Sequence, residues 1–289
     1  MIFGASGRLG RALWESRPQT LEVTALTHAE LDVTDIRAVE AVISLARPDV
    51  VINAAAWTDV AGAQTNAAAA RAVNAVAPGA MGRLFARTGV RIMHFSTDYV
   101  FSGEGSSPWN EASEAHPRQA GVYGVTKREG ERLLEESGVS GAIVRAGWLH
   151  SGERDFVNAS QIGTPTSTEA LARWTWDALP GLTPADRLTT VHYVEEGGWI
   201  SRADMAVHAL EAAEDRAIRL GELELAVRFR KAREGMRRTD ADDGFRPLNC
   251  RLSSLKKDEF PRTERWMEGV DKSVDIVVEA KKSLWITQK

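Results

Sequence analysis

Short apolar or β-branched runs alternate with longer amphipathic segments through the first half of the chain. Leu21 to Leu26, Val50 to Asn53, Arg91 to Ser96 and Ala142 to Arg145 read as strands, each bounded by Gly, Pro or polar residues. Between them Ile36 to Ala46, Asn66 to Arg87 and Val122 to Ser137, rich in Ala, Arg and Leu, read as helices. Strand and helix in repeated order predict parallel strands joined by helical crossovers. The expected fold is α/β, a Rossmann-like doubly wound parallel sheet. Continuous apolar runs suit strands covered on both faces.

After Trp148 the rhythm changes. Two tryptophan-bearing segments follow, around Trp174 to Trp176 and at Trp199, then a charged helical stretch from Arg202 to Arg238 and an irregular region with Pro and Arg. The reading divides the chain into a nucleotide-binding Rossmann domain over 1–150 and a smaller substrate-binding lobe over 151–289.

Composition narrows the function classes. The chain has 289 residues, 43% hydrophobic and 26% charged, with a net charge of −4. An acidic protein gives no reason to expect nucleic acid or an anionic membrane as partner. An anionic ligand must be held by local basic groups and backbone amides. The single cysteine, Cys250, cannot form an intramolecular disulfide, and neither a helix start nor a paired histidine marks it as a nucleophile. The longest apolar stretch, around Val50 to Ala56, is too short to cross a bilayer. No signal-like segment opens the chain, so a cytoplasmic protein is expected.

Gly4-Ala5-Ser6-Gly7-Arg8-Leu9-Gly10 follows the first apolar residues and opens a helix. Glycines at this spacing allow a tight turn and close approach to a pyrophosphate, which the uncapped helix start attracts. Three residues precede Gly4, few for a central strand. Asp35 reads as the cap of the next helix. Asp32 is better placed to accept from an adenine amino group. Asn53-Ala54-Ala55-Ala56 ends the third strand at the carboxyl edge, where open sheets bind ligands.

Ser96-Thr97-Asp98-Tyr99-Val100-Phe101 ends the fourth strand, and Tyr123-Gly124-Val125-Thr126-Lys127 lies on the following helix. Tyr123 and Lys127 share a helix face one turn apart. An ammonium beside a phenol is expected to pull the tyrosine pKa down towards neutrality, making it a proton donor or acceptor for a carbonyl and alcohol pair. The Thr97 hydroxyl can hydrogen-bond the same oxygen.

Taken together, the Gly4–Gly10 loop, Pro48–Ala56, Val73-Asn74-Ala75, Ser96–Phe101, Tyr123–Lys127, Arg145-Ala146-Gly147-Trp148, Gly163–Ser167 and Arg246–Leu252 resemble the dTDP-4-dehydrorhamnose reductases of the extended short-chain dehydrogenase/reductases. The resemblance implies reduction at C4 of a dTDP-linked 4-keto sugar, dTDP-4-dehydro-β-L-rhamnose, to dTDP-L-rhamnose, with NADPH or, in some members, NADH. It implies that Tyr123 protonates the developing alkoxide, Lys127 tunes Tyr123 and holds the nicotinamide ribose, and Thr97 polarises the keto oxygen. Asp98 and Trp148 then contact the sugar with Thr97. Gly4, Gly7, Arg8, Leu9, Gly10, Asp32, Val33, Ala55, Ala56 and Trp57 line the cofactor, joined by Tyr123 and Lys127. It allows a homodimer. Thr27-His28 follows the second strand where an arginine would have favoured the 2′-phosphate, leaving NADPH against NADH open.

The chain departs from the family at three places. The stretch at Pro117 to Gly121 is longer, a helix and strand usual after the Asp155-Phe156-Val157 segment are missing, and the first strand is short. Two other readings therefore stand beside the reductase: a nucleotide-sugar epimerase using the same Tyr–Lys pair, and a non-catalytic dinucleotide-binding regulatory subunit resembling the β subunit of methionine adenosyltransferase. The six histidines show no metal-ligand spacing. Asp240 to Gly244 reads as a solvated turn rather than a calcium loop. The basic run Arg228 to Arg238 reads as a solvated helix face, with attraction of a substrate diphosphate second.

Overall fold

The computed structural model describes residues 1–117, 121–149, 156–158, 160–182, 187–239, 246–268, 271–272, 274 and 278. Residues 118–120 of the longer stretch, Asp155 and the 240–244 turn lie outside the described residues.

Five strands come from the first half of the chain: β1 (Ile2–Phe3), β2 (Ala25–Leu26), β3 (Val50–Asn53), β4 (Arg91–Thr97) and β5 (Gly141–Ala146). The strand Thr189–Tyr193 completes a six-stranded sheet, ordered β2-β1-β3-β4-β5 and then Thr189–Tyr193, with every pairing parallel. This α/β sheet is the doubly wound arrangement that the alternation of elements predicts. Neighbouring residues of each strand are buried on opposite faces. Ile2, Ile52, Met93 and Val144 enter one core while Phe3, Val51, Ile92 and Ile143 enter the other. That double burial is why the runs are apolar without alternation.

β2 is shorter than its apolar run. Its partner β1 has two residues, so the register Ile2–Ala25 and Phe3–Leu26 exhausts the pairing, and Leu21 is left exposed. The amino group of Met1 donates to the Val50 carbonyl at 2.9 Å and continues the contact beyond the strand.

The helices α1 (Arg8–Glu15) and α2 (Ile36–Ala46) follow β1 and β2. The long helix expected over Asn66 to Arg87 forms from Ala67 to Thr88, with one widened turn inside it. A short helix α3 (Val60–Thr65) precedes it, and it comprises α4 (Ala67–Arg71), a π-turn at Ala72–Val76 and α5 (Ala77–Thr88). Pro78 has no N–H to give the Asn74 carbonyl, and the ladder widens just before it. The helix α6 (Gly121–Glu135) then passes so close that a Cβ on Gly130 would strike that carbonyl.

Both tryptophans of the first tryptophan segment serve the sheet. They lie on α7 (Thr168–Ala178), which packs on α1, and Trp176 Nε1 donates to the Leu13 carbonyl at 3.1 Å. Thus α7 and the strand Thr189–Tyr193 come from the part of the chain that the sequence reading placed in the smaller lobe.

In that lobe the charged stretch breaks into α8 (Arg202–Arg219) and α9 (Leu223–Glu234) at Gly221, whose φ is +75°. Arg230 and Arg233 pair with Glu214 across the two helices at 2.6 and 3.1 Å. The basic run is thus balanced by acidic neighbours. The strand Phe156–Asn158 runs on to the strand Ile162–Gly163 without a helix between them among the described residues. No helix among the described residues is long and apolar enough to cross a membrane.

Candidate active site

The chain passes to β2 on one side of β1 and to β3 on the other, so the carboxyl ends of β1 and β3 flank the switch point of the sheet. Gly4 leaves β1 with φ +77°, and a Cβ there would lie 2.6 Å from the Ala55 nitrogen. Only glycine permits that approach. Gly7 caps α1 without a side-chain hydrogen bond, so the first N–H groups and the positive end of the helix face outward. Gly10 is buried behind the loop, while Arg8 and Leu9 reach the cleft beyond it. These residues fit a pyrophosphate.

Of the predicted adenosine residues, Val33 is buried and Asp32 is exposed. One carboxylate oxygen of Asp32 accepts from Thr34 N at 2.9 Å and Thr34 Oγ1 at 2.8 Å, which lowers its pKa. Asp35 caps α2 as expected, accepting from Arg37 N and Ala38 N. Ala55, Ala56 and Trp57 are half-buried. Trp57 is clamped by Asn74, whose side chain accepts from Trp57 N at 2.9 Å and donates to its carbonyl at 3.1 Å and to Thr126 Oγ1 at 3.3 Å. The π-turn places Asn74 there, and its role in the site was not legible from a run of alanines.

β4 and α6 bring Thr97, Asp98, Tyr123 and Lys127 together. The Thr97 hydroxyl donates to Asp98 Oδ1 at 2.8 Å and is hydrogen-bonded to the Tyr123 hydroxyl. Tyr99 meets Tyr123 edge to face with ring centroids 5.8 Å apart, and its hydroxyl accepts from Gln161 at 3.0 Å. Lys127 is 2% exposed, and its Nζ donates to the Phe95 carbonyl at 2.7 Å. Burial lowers Lys127 to about 8, opposed by Glu131. Burial also raises Tyr123 well above its ordinary value, against the hydrogen bond from Thr97. The spacing predicts a tyrosine pulled down. In this fold desolvation of the phenol sets the direction, and the neighbouring Asp98 and Tyr99 add to it.

A cleft of about 260 Å³ opens over this cluster, lined by Thr97, Asp98, Tyr123 and Trp148 together with Arg8 and Leu9. Among the lining residues that the sequence reading did not assign to the site are Phe95, Arg202 and Arg246. Arg202 stacks over the Trp148 ring at 4.1 Å. Arg246 is carried in by the Arg246–Leu252 stretch, which is anchored where Asn249 donates to the carbonyls of Glu104 and Ser107 at 3.1 and 2.9 Å. Cys250 is fully buried behind the cleft and burial raises its thiol, so it packs, as expected of it.

Asp98 is 1% exposed, and burial pushes it up to about 6 against the hydrogen bond from Thr97 and the charge of Arg202. A raised carboxyl favours folding while protonated, so its contribution is complete below pH 4 and is lost as pH rises through 6. Asp98→Asn, which never ionises, is expected to melt higher than the parent at pH 8, by an equivalent of about 1–3 kcal/mol, and to match it near pH 4. Thermal melts across pH check this; a difference that grows towards acid pH would refute it.

Against known proteins, residues 1–278 match the family model described as RmlD substrate binding domain. The chain is 36% identical over 228 residues to a dTDP-4-dehydrorhamnose reductase of Mycobacterium tuberculosis, covering 71% of this chain and 72% of that one. Among solved structures it is similar to a dTDP-4-dehydrorhamnose reductase from Clostridium acetobutylicum, with TM-score 0.78, 27% identity and 96% and 98% of the two chains covered. A further dTDP-4-dehydrorhamnose reductase, from Bacillus anthracis and in complex with NADP, superposes with TM-score 0.73 at 24% identity over 94% and 96% of the chains.

Proposed function

The chain belongs to the RmlD substrate binding domain family, and from that premise we propose that it is an NADPH-dependent reductase of a dTDP-linked 4-keto sugar. Its substrate on this reading is dTDP-4-dehydro-β-L-rhamnose and its product dTDP-L-rhamnose. One observation carries the reading: the Thr97–Tyr123 hydroxyl pair lines a cleft that Arg8 and Leu9, at the start of α1 just past the glycine turn, also line. The reductase names of the relatives support it, and the neighbour holding NADP supports the choice of cofactor.

Gly4, Gly7 and the start of α1 hold the pyrophosphate, Asp32 and Val33 border the adenosine, and Ala55, Ala56 and Trp57 border the nicotinamide half. The bound cofactor would supply the hydride to C4. Thr97 and Tyr123 hold the keto oxygen between two hydroxyls, and Tyr123 gives up its proton as charge develops on that oxygen. Asp98 and Trp148 hold the sugar ring. The chain beyond Trp148, apart from α7 and the strand Thr189–Tyr193, forms the substrate side. The single cysteine, buried and free, suits the reducing cytoplasm.

Loss of NADPH absorbance on adding dTDP-4-dehydro-β-L-rhamnose, with NADH in parallel, tests the reading. Turnover with saturation in both ligands is expected. Saturable dinucleotide binding without turnover would replace it with a non-catalytic dinucleotide-binding protein.

A further inference from the structure

We propose that His94 is a positioning residue for Lys127: Asn53 holds its ring as the Nε2–H tautomer, and that N–H keeps Lys127 a neutral amine until a ligand draws the amine away. Asn53 and His94 are register partners on β3 and β4 and are 1% and 0% exposed. The Asn53 carbonyl oxygen accepts from Ala55 N at 3.2 Å, which turns its NH2 end towards His94 Nδ1, 3.0 Å away. An amide nitrogen only donates, so Nδ1 must accept. Burial holds the imidazole well below its ordinary pKa, so the ring is neutral. A neutral ring that accepts at Nδ1 carries its proton on Nε2.

His94 Nε2 lies 3.2 Å from Lys127 Nζ. An ammonium has three donors and no acceptor, so facing an N–H it would set donor against donor in a buried site. A neutral amine accepts from Nε2–H and still donates to the Phe95 carbonyl at 2.7 Å. The other charges near Lys127 do not reverse this. Glu131, one turn on, favours the ammonium but is already paired with Arg145 on β5 at 2.8 Å and with Arg128 at 3.2 Å. Asp98 is linked to the site through Thr97 and faces Arg202. Burial drags the amine down to about 8, and the imidazole N–H, a second donor rather than a charge, takes it further.

The consequence rests on the dinucleotide reading above. Ribose hydroxyls and a pyrophosphate favour the ammonium, so binding turns Lys127 from His94 and takes up a proton. The cation that tunes Tyr123 is then assembled by the ligand, and without it the phenol stays in its raised state.

The free protein labelled with ¹⁵N-histidine decides the tautomer, whatever the cofactor. A long-range ¹H–¹⁵N spectrum is expected to show His94 protonated at Nε2 and unchanged between roughly pH 6 and 9. In Asn53→Asp the carboxylate accepts from Nδ1–H while keeping the bond from Ala55 N, so the tautomer flips and Lys127 titrates higher by about one unit or more. An Nδ1–H tautomer or an imidazolium in the parent would overturn the proposal, as would an unflipped ring in Asn53→Asp. If that variant does not fold, His94→Gln replaces it: in the pH profile of kcat/KM the basic limb set by Lys127 Nζ must move to higher pH, and an unmoved limb is equally fatal.

NADPH titrated by calorimetry at about pH 8.5, in two buffers of different ionisation heat, reads the coupling. Proton uptake by the parent and little by Asn53→Asp is expected; binding without uptake overturns the coupling. A protein that binds no dinucleotide sinks the proposed function instead, and the tautomer spectrum still judges His94.

Discussion

Tyr123→Phe is expected to lower kcat for the keto sugar by about 10²–10⁴-fold, the usual worth of a positioned general acid, with the dissociation constant for NADPH little changed. The substitution removes one oxygen and keeps the ring, so the edge contact with Tyr99 at 5.8 Å survives. What is lost is the hydroxyl bonded to Thr97 at the floor of the cleft. Thr97 keeps a hydroxyl beside the keto oxygen, but to donate to it that proton must leave Asp98, which accepts it at 2.8 Å. Steady-state rates beside direct binding measurements separate the two effects. A fall in NADPH affinity that accounts for the whole loss would remove Tyr123 from proton transfer.

Arg145→Met is expected to cost about 3–5 kcal/mol, because it takes from the buried Glu131 its two-bonded partner and leaves it the more distant Arg128 at 3.2 Å. Glu131 is 0% exposed and Arg145 is 4% exposed, and they pair through two bonds of 2.8 and 2.9 Å between α6 and β5. Burial would raise Glu131, yet the ion pair with Arg145 holds it below its ordinary value. With the arginine gone burial wins, so the deficit should shrink as acid protonates Glu131. For a chain of this size the loss corresponds to a melting point lower by roughly 10 °C near neutral pH. The double change Glu131→Leu with Arg145→Met should recover much of it, since no charge is then left unpaired. A single variant that melts like the parent would mean that water reaches this pair.

Much of the architecture was legible because it is written in local patterns. Strand faces, helix starts such as Asp35, the glycine turn and the Tyr123–Lys127 spacing each need only near neighbours in the chain. The strand Thr189–Tyr193 was missed for the opposite reason. It lies among tryptophans and charges that look like a separate lobe, and it is a strand because β5 offers it a parallel edge. The helix over Asn66 to Arg87 runs through as read, and the cost of Pro78 falls on the π-turn just before it.

The site divides in the same way. The amino-acid sequence alone named the residues on which the proposed chemistry rests: the glycines of the loop, Thr97, Tyr123, Lys127 and the acid Asp98. Their identities and spacing are properties of the chain. The tertiary structure alone decided how those groups are charged and what faces them. Arg202 and Arg246 arrive from far along the chain, Asn74 reaches Trp57 through a π-turn, and His94 meets Lys127 across β4 and α6. Burial raises Tyr123 where spacing predicted it would fall. The physical reason is that desolvation depends on everything packed around a group, and no local pattern records how deep in the fold a side chain will lie.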